Sequence, residues 1–357
     1  MTKDEIYIHR CIELAKKGDG LVAPNPMVGA VLVHDDTIIG EGWHEQYGQP
    51  HAEVNCINFV KDEHKELISS ATLYVSLEPC NHFGKTPPCS DLIIKKKIRK
   101  VVIGCRDPFK EVSGKGIEKL KAAGMEVVVD VLKTECEELN KRFFTVHTKH
   151  RLYIILKWAQ TGDGKIAPPP PEGGILADDN NRLLISNEYT NQLVHKWRSE
   201  EAAILVGTNT ALMDDPQLTN RHWNGKQPVR LVIDKELQLP THLKLFNADA
   251  KTIVFNYQKH SEIGQPQYYQ LKEGVDFIEQ MITALQNMHI QSVLVEGGAK
   301  LLQSFIDIGL WDEARVIENE QLIIVNGLNA PALTQHQLMN EMKLKNDSIK
   351  FYKNLQS

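Results

Sequence analysis

The stretch EPCNHFGKTPPC at residues 78–89, together with HAE at residues 51–53, decides how the first half of this chain folds. The imidazole of His51 and the thiolates of Cys80 and Cys89 suit a borderline-soft Zn²⁺ ion. Three protein ligands leave the fourth tetrahedral position open for water, and zinc lowers the pKa of that water to about 7. Glu53 is placed to shuttle protons without binding the metal. The pattern therefore predicts a catalytic site with one zinc ion per chain.

Two other interpretations of these residues are a closed structural zinc site and three unrelated buried side chains. A structural site needs a fourth Cys or His, and His82 is the only spare ligand nearby. All six cysteines precede residue 137, and no secretory signal precedes them, so a disulfide framework is not expected. The four remaining cysteines are predicted to be small core residues: Cys11, Cys56, Cys105 and Cys136.

The composition indicates a globular protein of two domains. The 357 residues are 42% hydrophobic and 24% charged, and a single core rarely grows to that length. No long apolar run or signal-like N-terminus occurs, so we expect a cytoplasmic protein with no membrane partner. The net charge of -5 argues against a general nucleic-acid binder but allows a small phosphorylated substrate.

Short β-branched runs alternate with helical stretches and predict α/β architecture in both halves. In the first half, strands are expected at 27–33, 37–42, 71–76, 100–104 and 125–130, with helices at 51–61, 89–96, 116–123 and from 135. In the second half, strands are expected at 153–157, 203–207, 229–234, 252–255 and 292–296, with a final pair at 314–317 and 322–325. The predicted domains are 1–147 and 151–357. Pro168–Pro171 predicts a loop or lid.

The motif Asn25-Pro26-Met27-Val28-Gly29, with the two stretches above, resembles the deaminase half of the riboflavin-biosynthesis deaminase/reductase family. Eight residues separate the two thiols here, whereas cytidine and transfer-RNA adenosine deaminases usually carry Cys-x-x-Cys. The resemblance covers nearly all of residues 1–147 and implies a cytidine-deaminase-like α/β/α sandwich. It also implies contacts with a diaminopyrimidine or its ribose phosphate, although exposed residues of these types are often merely solvated. The implied contacts are Asn25, His44, His82 and Lys85.

The second half has no G-x-G-x-x-G fingerprint, but several of its segments occur in a telling order. Four segments together resemble the reductase half of the same family, which has a dihydrofolate-reductase-like fold. They are Gly207-x-x-Thr210, Asp214-Asp215-Pro216, the run 228–234 and the strand-Gly-Gly-helix segment 293–299. Alone, a strand-Gly-Gly-helix segment usually only turns the chain. The resemblance implies NADPH contacts at Ala159, Thr210, Asp214, Gly298, Ala299, Lys300, Leu301, Leu302, Gln303 and Ser304. It implies substrate contacts at Leu218, Arg221 and Glu296.

One departure concerns the cofactor site of the second half. Leu184 stands where family members usually carry an aromatic residue that stacks on the cofactor, so cofactor binding at this position is expected to differ. A zinc deaminase fused to a non-catalytic dimerising or regulatory domain therefore remains an alternative. A polynucleotide deaminase and a non-enzymatic zinc-stabilised binding module are two further alternatives, which RNA binding and the effect of Glu53→Gln would separate.

The resemblance as a whole implies a two-step function. The first domain would deaminate 2,5-diamino-6-(5-phosphoribosylamino)pyrimidin-4-one hydrolytically. NADPH bound to the second domain would then reduce the ribosyl group of the product to ribityl. A homodimer formed through the reductase half is also implied by the resemblance.

Overall fold

The computed structural model describes residues 1–83, 87–109, 112–169 and 183–356. Two units divide the chain, Met1–Arg151 and Leu152–Ser357. Both contain helices and strands, as the alternating sequence pattern predicts. Among the described residues, no helix has the length and apolar character needed to cross a bilayer.

The described residues of the first unit form five strands and six α-helices. The strands are β1 (Gly29–His34), β2 (Thr37–Trp43), β3 (Thr72–Leu77), β4 (Lys100–Cys105) and β5 (Glu126–Val128). The helices are α1 (Lys3–Ala15), α2 (Ala52–Asn58), α3 (Cys89–Lys95), α4 (Lys115–Ala122), α5 (Lys133–Leu139) and α6 (Lys141–Lys149). The sheet order is β2-β1-β3-β4-β5, in which β1 is antiparallel to both neighbours and β3, β4 and β5 are parallel.

Alternate side chains of the first sheet enter two separate cores. Val101 lies in the cluster that also contains residues of α2, α3 and α4, whereas Val102 lies in the cluster with residues of α1. Because successive side chains of a strand point to opposite faces, helices must cover both faces of this sheet. Gly42 allows α2 to approach closely, since a Cβ there would lie 2.2 Å from the Cys56 backbone nitrogen. This contact places the start of α2, and with it His51, at the sheet.

Within the described part of the second unit lie a nine-stranded sheet and four α-helices. The strands of that sheet are β6 (Tyr153–Thr161), β8 (Ala203–Val206), β9 (Val229–Ile233), β10 (Thr252–Asn256), β11 (Gln267–Gln270), β12 (Ser292–Val295), β13 (Glu313–Asn319), β15 (His336–Leu344) and β16 (Asp347–Asn354). A separate small pair is β7 (Lys165–Ala167) with β14 (Leu328–Asn329). The helices are α7 (Glu188–Glu200), α8 (Thr208–Asp214), α9 (Phe277–Asn287) and α10 (Ala299–Asp307).

The order of the large sheet is β11-β10-β9-β8-β12-β6-β13-β16-β15, and its first seven strands run parallel. β12 lies between β6 and β8, so the strand order reverses there. Ligands bind open α/β sheets outside the carboxyl ends of the strands at such a reversal. Gly207 follows β8 and Glu296 follows β12, which brings two predicted segments to the same edge.

The expected strand at 322–325 is wrong. β13 pairs instead with β16, which pairs in turn with β15. Two backbone groups of 322–325 bond to the turn after β6, where Gly162 N–H donates to Leu322 O and Ile324 N–H donates to the Asp163 carboxylate. Val325 is 80% exposed, so this apolar run contributes little to a core. The missed β15–β16 hairpin is rich in polar residues, and its short turn at 345–346 was the available signal.

Two sequence features fall at or near the limits of the described residues. Of the Pro168–Pro171 loop, Pro170 and Pro171 lie outside them. Leu184 lies inside them, in an irregular segment before α7, with 76% of its surface exposed.

Candidate active sites

The first site lies where α2 and α3 begin, beside the end of β3. His51 immediately precedes the first residue of α2, Cys89 is the first residue of α3, and Cys80 follows β3. Ser90 N–H donates to Cys80 O at 3.1 Å, which ties the loop to α3. Residues far apart in sequence therefore meet because two helix starts and one strand end share an edge of the sheet.

The three ligand atoms of this group lie within 4.8 Å of one another. His51 Nδ1 is 3.5 Å from Cys80 Sγ and 3.4 Å from Cys89 Sγ. A tetrahedral zinc ion, with bonds of about 2.0 Å to nitrogen and about 2.3 Å to sulfur, separates such atoms by roughly 3.5 Å. The group therefore fits zinc in both chemistry and spacing. Cys89 N–H also donates to Cys80 Sγ at 3.3 Å, which favours the thiolate.

Glu53 lies in the first turn of α2 and is 3% exposed. Burial raises the pKa of Glu53, the nearby Cys80 sulfur raises it further, and His51 opposes both effects. A carboxyl group with a raised pKa exchanges protons more readily near neutral pH, as a general acid–base residue must. The predicted proton carrier thus lies directly beside the predicted metal ligands.

His44 and Asn25 contact each other next to this group. His44 Nδ1 lies 3.1 Å from Pro50 O, which can only accept, so this nitrogen carries the proton. Burial lowers the pKa of His44, so the ring is neutral and its Nε2 accepts from Asn25 Nδ2 at 3.1 Å. The His44 and His51 rings meet edge to face at 5.4 Å. Asn25 is therefore oriented by a histidine that packs against the first ligand.

The other two predicted substrate residues of this site are His82 and Lys85. His82 lies 5.9 Å from the Phe109 ring, and its buried Nδ1 has no hydrogen-bond partner among the described residues. Lys85 lies outside the described residues.

Asp107 is a residue near the first site that the sequence reasoning missed. It follows β4, so it lies at the same sheet edge as Cys80 after the parallel strand β3. Burial raises the pKa of Asp107 to about 7, helped by Glu78 and Cys80 and opposed by the Phe109 N–H that donates to it. A carboxylate directly after a buried parallel strand was the available signal.

The second site centres on Glu296, which follows β12. Arg198 grips its carboxylate with two hydrogen bonds, Nε at 2.8 Å and Nη2 at 2.7 Å, and Lys157 Nζ lies at 3.6 Å. Burial alone would raise the pKa of Glu296, but these two cations lower it to about 2. The sequence reasoning missed Arg198 and Lys157, because α7 and β6 bring them to Glu296 only in the tertiary structure.

The predicted substrate residues Leu218 and Arg221 differ in exposure. Leu218 is 2% exposed and packs in a core cluster, so its backbone rather than its side chain can face a substrate. Arg221 is exposed, and its Nη1 donates to Thr219 Oγ1 at 2.9 Å. The Arg221 backbone N–H donates to His195 Nδ1 at 3.0 Å. The loop thus presents a guanidinium while its backbone is held from α7.

The predicted cofactor residues Thr210 and Gly298 meet at the sheet edge. A Cβ on Gly297 would lie 2.8 Å from Thr210 Cγ2, and one on Gly298 would lie 3.2 Å from Thr210 Oγ1. Gly298 has φ +70 and immediately precedes α10. The first N–H groups of a helix have no intrahelical acceptor and favour phosphate. This segment therefore fits a phosphate-bearing cofactor such as NADPH.

The remaining predicted cofactor residues are spread over β6, α8 and α10. Asp214 is exposed at the end of α8, and Ala159 is partly buried on β6. Leu302 is 1% exposed and faces the core, while Leu301 is partly buried near Gly207. The other four also lie on α10, which begins at Ala299: Ala299, Lys300, Gln303 and Ser304.

Comparisons with known proteins match both units. Residues 1–105 match the cytidine and deoxycytidylate deaminase zinc-binding region, and residues 152–354 match the RibD C-terminal domain. The riboflavin biosynthesis protein RibD of Aquifex aeolicus is 38% identical over 355 residues, which cover 97% of this chain and 95% of that protein. The protein of the same name from Bacillus amyloliquefaciens is 37% identical and covers 95% and 90%.

A solved structure from Thermotoga maritima has the same architecture across both units. That protein is a diaminohydroxyphosphoribosylaminopyrimidine deaminase/5-amino-6-(5-phosphoribosylamino)uracil reductase. It is 37% identical, with a TM-score of 0.87 over 98% of each chain. The predicted fold class, a deaminase-like unit followed by a reductase-like α/β unit, is confirmed. The match over 152–354 favours a catalytic second domain over a merely dimerising or regulatory one.

Proposed function

The chain belongs to the RibD family of riboflavin-biosynthesis enzymes, and on that basis we propose the substrates and residues of its two reactions. It is a bifunctional enzyme with a zinc-type deaminase domain and an NADPH-dependent reductase domain. The proposed first substrate is 2,5-diamino-6-(5-phosphoribosylamino)pyrimidin-4-one, and the second is its deaminated uracil product. The name of the Thermotoga maritima protein supports both choices.

In the proposed deamination, His51, Cys80 and Cys89 hold the zinc ion. When bound, the ion acts as a Lewis acid that makes a water acidic enough to supply a nucleophile near neutral pH. Glu53 takes a proton from that water as its oxygen bonds to the amino-bearing ring carbon. The same carboxyl then returns the proton to the amine, the carbon–nitrogen bond breaks, and ammonia leaves. Asn25 is proposed to bind the substrate, and its contact with His44 Nε2 supports this role.

In the proposed reduction, NADPH when bound supplies the hydride to ribose C1 of the ring-opened sugar. The cofactor is proposed to be held by Ala159, Thr210, Asp214 and the segment 298–304. Arg198 and Lys157 keep Glu296 ionised, so its carboxylate can accept hydrogen bonds from ribose hydroxyls. The exposed guanidinium of Arg221 is proposed to bind the substrate phosphate. Leu218 would contribute through its backbone.

The observation that carries the deaminase proposal is the separation of His51 Nδ1 from both sulfurs, with the buried Glu53 carboxyl beside them. The test measures ammonia release and NADPH oxidation separately, using the zinc-loaded protein and the diaminopyrimidine ribosyl phosphate. We expect ammonia release from the substrate whether or not NADPH is present. We expect NADPH oxidation when the protein, the substrate and NADPH are supplied together. Ammonia without NADPH oxidation would refute the reductase assignment, and neither signal would refute the substrate class.

Glu53→Gln sharpens this test, with Glu66→Gln as the matched control on an exposed glutamate of the same unit. We expect Glu53→Gln to lower deamination by roughly 10²- to 10⁴-fold, the usual range for a general acid–base residue. Reduction of supplied deaminated product should be unchanged. Equal activity of the two variants would contradict the role proposed for Glu53.

We also propose a homodimer formed through the reductase unit. β15 is an edge strand of the large sheet, and eight of its nine residues are exposed, including Leu338 and Met339. A long exposed edge strand with apolar side chains is a template for pairing with another chain. Light scattering of the purified protein tests this proposal, and a monomer at micromolar concentration would contradict it.

A cytoplasmic location is proposed as well. None of the six cysteines forms a disulfide, which suits a reducing compartment. Cell fractionation tests this location, and recovery of the protein outside the cytoplasm would contradict it.

A further inference from the structure

In the deaminase unit, one side-chain amide holds the loop that carries Asn25. Met27 N–H donates to Asn140 Oδ1 at 2.8 Å, and Asn140 Nδ2 donates to Met27 O at 2.9 Å. Asn140 lies between α5 and α6 and is 4% exposed. It lies beyond residues 1–105, which match the zinc-binding deaminase region. An element outside that shared region thus fixes the backbone two residues after Asn25.

In the reductase unit, the loop that carries Arg221 is held in the same way. Asn220 N–H donates to Gln227 Oε1 at 2.6 Å, and Gln227 Nε2 donates to Asn220 O at 2.8 Å. The next backbone N–H, that of Arg221, donates to His195 Nδ1. Burial, Arg198 and Arg221 together lower the pKa of His195 to about 4, so the ring is neutral and can accept at neutral pH. Two side chains therefore fix consecutive peptide groups at Arg221.

A side-chain amide that accepts a hydrogen bond from the backbone N–H of one residue and donates one to the C=O of the same residue acts as a neighbouring strand would. It satisfies both backbone groups of a residue outside any regular ladder. It also fixes the position and the tilt of that peptide, because two hydrogen bonds define a direction and one does not. Misplacement of a binding group by about 1 Å can cost on the order of 100-fold in rate. Such a pair beside a substrate-binding side chain therefore acts on catalysis as well as on folding.

We propose that Asn140 and Gln227 are positioning residues, each for the substrate loop of its own domain. Asn140 sets the backbone from which Asn25 reaches His44 and the pyrimidine, and Gln227 sets the backbone from which Arg221 reaches the phosphate. Neither touches the reacting atoms. The inference rests on the substrate contacts proposed above for Asn25 and Arg221.

The test compares Asn140→Ala with Gln227→Ala in both half-reactions of the full-length, zinc-loaded protein. Asn140→Ala should lower kcat/KM for ammonia release by about 10- to 100-fold, chiefly through KM, and leave reduction of supplied deaminated product unchanged. Gln227→Ala should do the reverse. Zinc content should stay at the wild-type level in both variants, because no metal ligand is changed.

Gln280→Ala provides the matched control. Gln280 makes the same reciprocal pair with the backbone of Lys272, at 2.9 Å in each direction, on an exposed surface outside both sites. Its loss removes the same reciprocal pair, together with longer contacts from Gln280 Nε2 to Val275 O and Asp276 O, so it measures the effect on stability away from both sites. We expect both activities of Gln280→Ala to match those of the wild type.

Several outcomes would overturn the inference. A lower melting temperature with unchanged kcat/KM would make the two amides merely structural, and so would an equal loss of both activities in either variant. If an alanine variant fails to fold, Asn140→Asp and Gln227→Glu replace it, since each keeps the acceptor half of the pair. These variants should again impair only their own half-reaction, and unchanged kinetics would refute the inference. If the wild-type protein itself does not catalyse one of the two half-reactions, the proposed function is refuted instead.

Discussion

Two buried glutamates, one in each unit, are held in opposite protonation environments. Glu53 is 3% exposed, and burial together with Cys80 raises its pKa. The Glu296 side chain is 5% exposed, yet Arg198 and Lys157 overcome the effect of burial and lower its pKa to about 2. The same side chain is therefore suited to carrying a proton in one site and to remaining a fixed anion in the other. The bidentate hydrogen bonds from Arg198 distinguish the Glu296 site from the Glu53 site.

Removal of a ligand beside Glu53 should produce the largest effect. Cys89→Ala deletes one of three donors, so bound zinc should fall from about one per chain to near zero. Deamination should fall by more than about 100-fold, since even residues that only orient metal ligands typically cost 10- to 100-fold. Metal analysis and ammonia release measure both effects.

The control for this variant is Cys11→Ala, a buried cysteine on α1 outside the metal group. It should keep its zinc, and both variants should still reduce supplied deaminated product. Retention of zinc by Cys89→Ala would contradict the ligand assignment.

Removal of Arg198 should reduce the difference between the two glutamates, with Lys157 still 3.6 Å from the Glu296 carboxylate. In Arg198→Met, burial acts on a carboxylate that has lost its bidentate partner, which costs about 3–5 kcal/mol in the free energy of unfolding. Four of the five tryptophans lie in the reductase unit, so tryptophan fluorescence during urea unfolding reports mainly on that unit.

The double variant Arg198→Met/Glu296→Gln should recover much of this loss, because a neutral amide then replaces the buried carboxylate that had lost its bidentate partner. The thermal unfolding of the deaminase unit should not change in either variant. A double variant as unstable as the single one would show that the ion pair is not the cause.

Acid should weaken the reductase unit through Glu296. Its pKa falls from the ordinary 4.5 to about 2 in the folded protein, so the unfolded chain takes up the proton first as the pH decreases. This contribution to stability is fully present above about pH 4.5 and is lost as the pH falls toward 2. A shift of this size corresponds to about 3 kcal/mol. Urea unfolding at several pH values should show the loss, and Glu296→Gln should remove this part of the pH dependence.

Gly297→Ala should have a smaller effect, exerted through packing at the Glu296 end of β12. The added Cβ would lie 2.8 Å from Thr210 Cγ2, and overpacking of this kind costs about 1–3 kcal/mol. The double variant with Thr210→Ser removes the clashing methyl group and should recover part of the loss. Gly207→Ala is the control, since its nearest contact would be an ordinary 3.8 Å from Leu301. Equal urea midpoints for Gly297→Ala and Gly207→Ala would contradict the close approach.

The sequence predicted most of the parallel strands because buried β-branched runs bounded by turn residues carry a local signal. Both β8 and β12 are of this kind. It failed at 322–325, where one backbone N–H of an apolar run donates to Asp163 and the run remains exposed. It also missed the β15–β16 hairpin, because the edge strand β15 is exposed at eight of its nine residues and β16 is rich in polar residues, so neither shows the apolar alternation that marks a core strand.

The sequence by itself determined the chemistry of the first site. The site residues are His51, Glu53, Cys80 and Cys89, and their spacing is typical of a zinc deaminase. The identity of a metal ligand depends on side-chain chemistry, which the sequence gives directly. Only the tertiary structure decided that Arg198 and Lys157 meet Glu296, that Asp107 lies at the same sheet edge as Cys80, and that Asn140 holds Met27. The physical reason is distance along the chain. Contacts between α7 and β12, or between Met27 and the start of α6, leave no periodic pattern in sequence, because helix packing and parallel strand order create them.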